Sequence, residues 1–386
     1  MTNDSLIQPG KFPGTGTTIF TVMSKMAQDH GAINLAQGFP EFDGPPLLRE
    51  RVAWHMANGH NQYAPLAGVP GLQQQIAAMI FELYGSVVNP GRQITVTPGA
   101  TEAIFCAVTA CVHPGDEVIV FDPAYDTYEP CVELNGGVTR HIPMKYPDYR
   151  IDWQRVKDQI NDRTRLIMLN SPHNPSGSIL REEDIDALRS VIASTNILLV
   201  SDEVYEHIVF DNEPHLSLLR YPDLAERAFC ISSFGKTYHV TGWRLGYCVA
   251  PESLMREFLK IHQFINFSTN APMQYALADF LDDYPQHSED LADFYQKKRN
   301  IFIELMNKSR FKMKPSEGSF FQLADYSEIS DESDTVFANR LTKEHKVAVI
   351  PVSVFYRQPP GQKIVRFCFA KDDDTLREAA QRLVEL

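Results

Sequence analysis

Short runs of consecutive apolar residues recur along this chain, and polar turn residues bound each run. A strand with apolar residues on both faces is typical of a parallel sheet covered by helices on both sides. Segments with apolar residues at helical spacing, such as residues 72–83, separate the runs. The alternation predicts an α/β fold with a mostly parallel sheet and right-handed crossovers. The predicted strands are 94–97, 117–121, 166–169, 197–200 and 228–231.

The two ends of the chain have different patterns. About the first 30 residues are rich in Gly, Pro and Thr, and they predict an extended arm. Residues 246–250 follow the last of these strands so closely that we expect them to return antiparallel. Strand patterns at 347–351 and 363–370 predict a smaller α+β domain. We therefore predict an N-terminal arm over 1–45, a large domain over 46–285 and a small domain over 286–386.

Charge and composition exclude several classes of protein. The formal net charge is −13, which argues against nucleic acid and against an anionic membrane as partners. No apolar run approaches the ~20 residues of a spanning helix, and the first residues lack the pattern of a secretory signal. The six cysteines are scattered and form no C-x-x-C motif, as expected for reduced core thiols. We expect a cytoplasmic enzyme.

Lys236 directly follows a predicted strand, within residues 232–238. Burial and nearby positive charge lower a lysine pKa, and the neutral amine is the nucleophile that forms Schiff bases. Arg244, eight residues further on, suits a phosphate beside the aldehyde that such an amine would attack. A single lysine at a strand end is more often an ordinary loop residue. The other strand ends therefore decide between the two interpretations.

Ligands of open α/β sheets bind outside the carboxyl ends of the strands, where this chain places further polar residues. After strand 94–97, a tight turn opens a helix at Ala100 and Thr101, whose free N–H groups suit a phosphate. Tyr125 offers an aromatic face to a planar ring. Asn174, held between two prolines, offers an amide to a phenolic oxygen.

Asp202 follows a buried apolar run, where a carboxylate is costly unless it is paired. A pyridinium nitrogen is a suitable partner, since the ion pair keeps the ring electron-withdrawing. Tyr205 follows closely enough to contact a ring oxygen. The strand ends together supply a phosphate cradle, a stacking ring, an amide, a carboxylate and an amine. These groups match the parts of one pyridoxal 5′-phosphate.

This combination resembles the class I/II aminotransferases of fold type I, which depend on pyridoxal 5′-phosphate. The resemblance extends from about residue 34 to 366. Its motifs are His173-Asn174-Pro175-x-Gly177, Asp202-x-x-Tyr205, and Ser233-x-x-Lys236 followed by Gly242-x-Arg244. It implies a mostly parallel seven-stranded sheet between helices, a smaller α+β domain, and an arm that packs with that domain and the active site.

The resemblance also implies roles for individual residues. The implied catalytic residues are Lys236, which bonds to the cofactor, Asp202 on the pyridine nitrogen, and Tyr205. The implied cofactor contacts add Ala100, Thr101, Ser233 and Arg244 at the phosphate, Tyr125 on the ring and Asn174 at the phenolic oxygen. The family tyrosine that matches Tyr63 reaches the phosphate of the neighbouring subunit, which implies a homodimer with shared active sites. The substrate carboxylate is implied to bind Arg366, Asn174 and Gly38.

The reaction implied is ping-pong transfer of an amino group from an L-amino acid to a 2-oxo acid. Residues 172–175, 235–238 and 34–45 look most like the methionine and kynurenine/glutamine transaminase branch. We therefore predict methionine and aromatic amino acids, kynurenine included, as donors, with glutamine as a further candidate. Apolar candidates for the side-chain pocket are Ile19, Phe39, Tyr238 and Phe355.

Other enzyme classes share parts of these motifs. A cysteine-conjugate β-lyase dependent on the same cofactor stays open, because one lysine and one electron sink serve both reactions. The segment Gly235-Lys236-Thr237 ends like a P-loop, but Cys230 stands where that motif needs glycine. The 12 histidines include no H-x-x-x-H pair, so we expect no catalytic metal.

Overall fold

The computed structural model describes residues 11–12 and 16–386, and a seven-stranded sheet is its centre. The strands are β2 (Ile94–Thr97), β3 (Glu117–Asp122), β4 (Val138–Pro143), β5 (Thr164–Asn170), β6 (Leu198–Asp202), β7 (Ala228–Ser233) and β8 (Gly246–Val249). Their order is β2-β8-β7-β6-β5-β3-β4. Strand β8 runs antiparallel to both of its neighbours and the other pairs are parallel, which confirms the α/β fold and the predicted antiparallel return.

Helices cover both faces of this sheet. They are α2 (Pro46–Ala57), α3 (Pro70–Tyr84), α4 (Pro90–Gln93), α5 (Ala100–Cys111), α6 (Tyr128–Leu134), α7 (Trp153–Gln159), α8 (Glu182–Ile192), α9 (Pro222–Ala225), α10 (Phe234–Thr237), α11 (Glu252–Ile265) and α12 (Ala271–Asp283). Along β3, Val118 and Val120 pack with α5 and α11, whereas Ile119 packs on the opposite face with α3, α8 and α12. Burial on both faces explains the continuous apolar runs.

A second, smaller sheet lies in the C-terminal part of the chain. It has the order β11-β12-β9, from β9 (Phe321–Asp325), β11 (Ile350–Pro351) and β12 (Ile364–Cys368), and its strands are antiparallel. The helices of this part are α13 (Gln286–Glu289), α14 (Leu291–Met306), α15 (Asp334–Lys343) and α16 (Asp373–Val384). Short strand β1 (Ile33–Asn34) pairs with β10 (Val347–Ala348), so the N-terminal segment packs here. The bounds 1–45, 46–285 and 286–386 stay a prediction.

The prediction of an extended arm is wrong in one part, because residues Ile19–His30 form helix α1. The Gly, Pro and Thr that suggested an arm mostly precede residue 19, while Met23 and Ala27 give the helix a buried face. Thr18 caps its start by accepting a hydrogen bond from the N–H of Thr21. Gly31 ends the helix at a φ of +58°. Residues 1–10 and 13–15 of the predicted arm lie outside the described residues.

The cysteines and the apolar helices bear on two predictions from composition. All six cysteines lie within the described ranges, where each is buried and free, as predicted. Within residues 11–12 and 16–386, no helix combines the length and the apolar character needed to cross a lipid bilayer.

Candidate active site

A cleft of about 600 Å³ opens where β5, β6 and β7 end and α5 begins. Its lining residues are Ala100, Thr101, Ile104, Tyr125, Asn170, Asn174, Asp202, Val204, Tyr205, Ser233, Lys236 and Arg244. All predicted cofactor contacts except Tyr63 are therefore brought together. They meet because the carboxyl ends of parallel strands lie at the same edge of the sheet.

Lys236 lies on α10, which begins where β7 ends. The hydroxyl of Ser233 caps this turn by accepting a hydrogen bond from the N–H of Gly235, at 3.3 Å. The Lys236 Nζ donates to the carbonyl oxygen of Gly38, at 3.0 Å. Desolvation, with Arg366 and Arg244 nearby, lowers the pKa of Lys236 to about 8. A substantial fraction of the amine is therefore neutral near physiological pH.

Asp202 is the last residue of β6 and is 4% exposed. Its Oδ2 accepts a hydrogen bond from the Tyr128 hydroxyl at 2.6 Å, and its Oδ1 accepts one from the N–H of Val204 at 3.4 Å. Burial raises the pKa of Asp202 to about 6, although both hydrogen bonds oppose the rise. A cationic ligand in the cleft would stabilise the carboxylate further.

Asn170 and Asn174 shape the wall of the cleft between β5 and β6. The Asn170 side chain accepts from the N–H of Asn174 at 2.8 Å and donates to the carbonyl of Asp202 at 2.9 Å. Asn170 thus fixes the turn that carries Asn174. The Oδ1 of Asn174 accepts from Arg366 at 2.8 Å, so its amide nitrogen is the group that remains to donate to a ligand.

The start of α5 has the properties of an anion site. The N-cap residue is Gly99, at a φ of +82°, and no side chain among the described residues caps the first turn. A Cβ at Gly99 would lie 2.7 Å from Nη2 of Arg244, so only glycine allows the guanidinium to approach this helix end. Free N–H groups, the helix dipole and a guanidinium together favour a phosphate.

Arg366 lies on β12 and is fully buried. It donates to Asn174 Oδ1 at 2.8 Å and to the carbonyl of Ala36 at 2.9 Å, so neither partner is a carboxylate. Its Nε has no hydrogen-bond partner within the described residues, and the ring of Phe321 lies 3.9 Å from Cζ. Desolvation lowers the pKa of Arg366 to about 10, which leaves it charged at neutral pH. A buried guanidinium whose hydrogen bonds both go to neutral acceptors fits a carboxylate ligand.

Three further predicted residues lie around or away from the cleft. Gly38 packs against Phe321, since a Cβ there would lie 2.8 Å from the ring atom Cζ. Tyr63 does not line the cleft: it is 81% exposed and packs edge-on against Phe267. Tyr238 does not line this cleft either: it is buried and stacks on His287.

Tyr128 and Asn170 belong to the site but are not among the sequence predictions. Tyr128 lies in the first turn of α6, three residues after Tyr125, so helical spacing could have placed both near one ligand. Asn170 is the last residue of β5, directly before the turn that carries Asn174. The rule that polar residues at strand ends bind ligands applies to it equally.

The α/β fold, with the amine of Lys236 and the carboxylate of Asp202 in a cleft at the edge of its parallel sheet, is that of an enzyme. The family model of aminotransferase class I and II matches residues 30–383. The chain therefore belongs to the class I and II aminotransferases, and members of this family depend on pyridoxal 5′-phosphate.

Individual relatives cover almost the whole chain. The methionine aminotransferase of Escherichia coli strain K12 is 51% identical over 386 residues, which is 100% of both chains. Kynurenine–oxoglutarate transaminase 3 of Homo sapiens is 31% identical, over 97% of this chain and 89% of its own. A crystal structure from Escherichia coli, reported with a methionine aminotransferase function, has a TM-score of 0.97 at 50% identity. It covers 98% of this chain and 100% of its own.

Proposed function

We propose that this aminotransferase moves the amino group of an L-amino acid to a 2-oxo acid by ping-pong transamination. The observation that carries the proposal is the cleft itself: the amine of Lys236 and the carboxylate of Asp202 line it. The guanidinium of Arg366 donates a hydrogen bond to Asn174, which also lines the cleft. These are the groups needed to hold an aldehyde cofactor and an amino acid side by side.

The described residues fit pyridoxal 5′-phosphate. The uncapped start of α5, with Ser233 and Arg244, would hold its phosphate. Tyr125 would stack on the ring, Asp202 would pair with the ring nitrogen, and the phenolic oxygen would lie near Asn174 and Tyr205. When bound, this cofactor supplies an aldehyde carbon that bonds to amines and a ring that withdraws electrons.

The residues of the chain itself have separate roles in the proposed reaction. Arg366 and the Asn174 amide grip the α-carboxylate, which orients the Cα–H bond of the substrate. Lys236 moves the proton at Cα, because its lowered pKa makes a neutral amine available. The carbonyl of Gly38 accepts from Nζ and so orients the amine. The donor leaves as a 2-oxo acid before the acceptor binds, since both use the same carboxylate site.

Methionine, aromatic amino acids and glutamine are the donors we propose. The rings of Phe20, Phe321 and Phe355 lie within 5.8 Å of the Arg366 Cζ, so an apolar side chain would find aromatic surface beside the carboxylate site. The methionine and kynurenine activities named for the relatives agree with such a pocket.

A panel of amino donors, each combined with several 2-oxo acids, tests this proposal. We expect 2-oxo acid product from methionine only when an acceptor is present, and no release of ammonia. Ammonia and ketone formed without an acceptor would identify the β-lyase reaction instead. A strong preference for aspartate would contradict the proposed specificity.

We also propose a cytoplasmic homodimer with shared active sites. Tyr63, Phe264 and Phe267 are 81%, 86% and 57% exposed, which is unusual for aromatic side chains of a single chain and suits a covered surface. The six free cysteines agree with a reducing compartment.

Mixed dimers test whether the sites are shared. In a dimer of one Tyr63→Phe subunit and one Lys236→Ala subunit, shared sites leave one site with both native residues. We expect activity well above that of either parent variant, approaching half of the wild type. If Tyr63 serves its own subunit, mixing will restore nothing.

A further inference from the structure

The hydroxyl of Tyr128 makes a direct contact to the functional carboxylate from outside the cleft lining. It donates to Asp202 Oδ2 at 2.6 Å, and the two residues are 3% and 4% exposed. We propose that Tyr128 is a positioning residue, which holds Asp202 ionised and turns its Oδ1 toward the ring nitrogen of the cofactor. This inference rests on the proposed function, in particular on the pairing of Asp202 with that nitrogen.

The two oxygens of the Asp202 carboxylate have different hydrogen-bond partners. The strong donor, the Tyr128 hydroxyl, occupies Oδ2, whereas among the described residues Oδ1 accepts only the longer contact from the Val204 N–H, at 3.4 Å. Oδ1 is therefore the oxygen with capacity for a ligand. The ring of Tyr128 is itself fixed, since it starts α6 and packs edge-on against Tyr125 at 5.7 Å. One short hydrogen bond thus orients the carboxylate relative to the ring that we expect Tyr125 to stack on.

The hydroxyl is suited to this role because it stays protonated. Burial, followed by the charge of Asp202, raises the pKa of Tyr128 well above its usual value. Besides Tyr128 and the Val204 N–H, two charged side chains act on Asp202: Lys236 favours the carboxylate and Glu203 opposes it. Tyr205 and Tyr125 also lie within its electrostatic reach. Tyr128 donates a hydrogen bond without carrying a charge, so its contribution does not change across the neutral pH range.

A double-mutant cycle on the apo-protein tests the proposal. The dissociation constant of pyridoxal 5′-phosphate is measured for the wild type, Tyr128→Phe, Asp202→Asn and the double variant, between pH 5 and 9. We expect Tyr128→Phe to weaken binding about tenfold, as for loss of a hydrogen bond to a charged group. Because the hydroxyl lowers the pKa of Asp202, the loss of affinity on acidification should begin at higher pH in this variant. In the Asp202→Asn background the same change should alter affinity less than about twofold.

Tyr221→Phe is the matched control, since that hydroxyl also contacts a carboxylate, Glu182, but the contact is exposed and Tyr221 precedes β7, whose other end borders the cleft. We expect no change in cofactor affinity. Tyr128→Met enters the same cycle as a second variant without the hydroxyl.

Each outcome has a distinct meaning. Equal weakening by Tyr128→Phe in both backgrounds would show a packing role and overturn the inference. The same conclusion follows if neither Tyr128 variant folds, as measured by circular dichroism. If Asp202→Asn leaves cofactor affinity unchanged, the pairing in the proposed function fails instead. A large effect of Asp202→Asn with none from Tyr128→Phe would reject the role of Tyr128 alone.

Discussion

Replacing Arg366 by lysine tests the assignment of the carboxylate site most directly. The guanidinium is fully buried and makes two hydrogen bonds at 2.8 and 2.9 Å, while its Nε stays unpartnered within the described residues. Lysine keeps the charge but loses the planar fork that a carboxylate binds with two parallel bonds. The change therefore removes geometry rather than charge.

The expected magnitude follows from the hydrogen bonds that lysine is unable to make. A hydrogen bond to a charged group contributes about 1.5–3 kcal/mol, and lysine can replace at most one of the two that the fork offers a carboxylate. We expect Arg366→Lys to lower kcat/KM for methionine about 10- to 150-fold. Arg366→Gln, which removes both bonds and the charge, should lower it at least tenfold further.

The assay is steady-state transamination of methionine with a saturating 2-oxo acid, beside the cofactor dissociation constant of each variant. We expect kcat/KM to fall while cofactor affinity stays within about threefold, because Arg366 contacts none of the proposed phosphate ligands and its bond to Asn174 uses Oδ1, not the amide nitrogen that is free to donate to a ligand. The melting temperature of Arg366→Gln should change little, since removing a costly buried charge offsets the two hydrogen bonds that are removed with it. A kcat/KM for Arg366→Lys within threefold of the wild type, or a parallel loss of cofactor affinity, would refute the assignment.

Three further perturbations have defined outcomes. Lys236→Ala should lower kcat at least about a thousandfold and abolish the absorbance of a cofactor bonded to the protein, although cofactor should still bind; unimpaired turnover would contradict the proposed role. Gly99→Ala places a Cβ 2.7 Å from Arg244 at a φ of +82°. The new methyl group should disturb the proposed phosphate site, so the affinity for pyridoxal 5′-phosphate should fall by at least tenfold. Gly115→Ala is the control, since that residue also has a positive φ (+88°) but open space around the new Cβ. Folding raises the pKa of Asp202 to about 6, so its stability cost is absent below the unfolded value near 4 and complete above pH 6. Asp202→Asn should therefore stabilise the apo-protein by up to about 3 kcal/mol at pH 7 and not at pH 4, as measured by urea denaturation.

The sequence predicts the cleft well because each of its parts is local. Asn174, Asp202 and Lys236 follow apolar runs within a few residues, and parallel strands bring such ends together whatever lies between them. The contacts across the cleft are different in kind. The bond from Tyr128 to Asp202 joins residues 74 apart, and the bond from Arg366 to Asn174 joins residues 192 apart. The packing of α6 against the large sheet, and the position of β12 beside the turn that carries Asn174, determine them.

The errors have physical causes as well. Strand β4 is the edge of the large sheet, and its residues are mostly half-buried or exposed, so it lacks the continuous apolar run of the inner strands. Helix α1 has a narrow buried face of Met23 and Ala27. Its apolar pattern is therefore weak beside the Gly, Pro and Thr that dominate the composition of the first 30 residues. The prediction for Tyr63 is not among these errors: its side chain is exposed in a single chain, and its contact to the phosphate of a neighbouring subunit stays a prediction.

One short stretch of main chain connects the two cations of the site. The carbonyl of Ala36 accepts from Arg366, and the carbonyl of Gly38, two residues on, accepts from Lys236. This stretch is fixed in turn, because the carbonyl of Leu35 accepts from the N–H of Cys368 on β12. The acceptors are backbone carbonyls, so the two hydrogen bonds themselves require no particular side chain, although the close packing of Gly38 on Phe321 leaves no room for a Cβ there. A shift of this main chain, in contrast, would disturb the hydrogen bonds of both Arg366 and Lys236, the residues proposed to bind the carboxylate and to transfer the proton. Arg366 on β12 and Lys236 at the end of the large sheet are therefore both hydrogen-bonded to the same N-terminal segment.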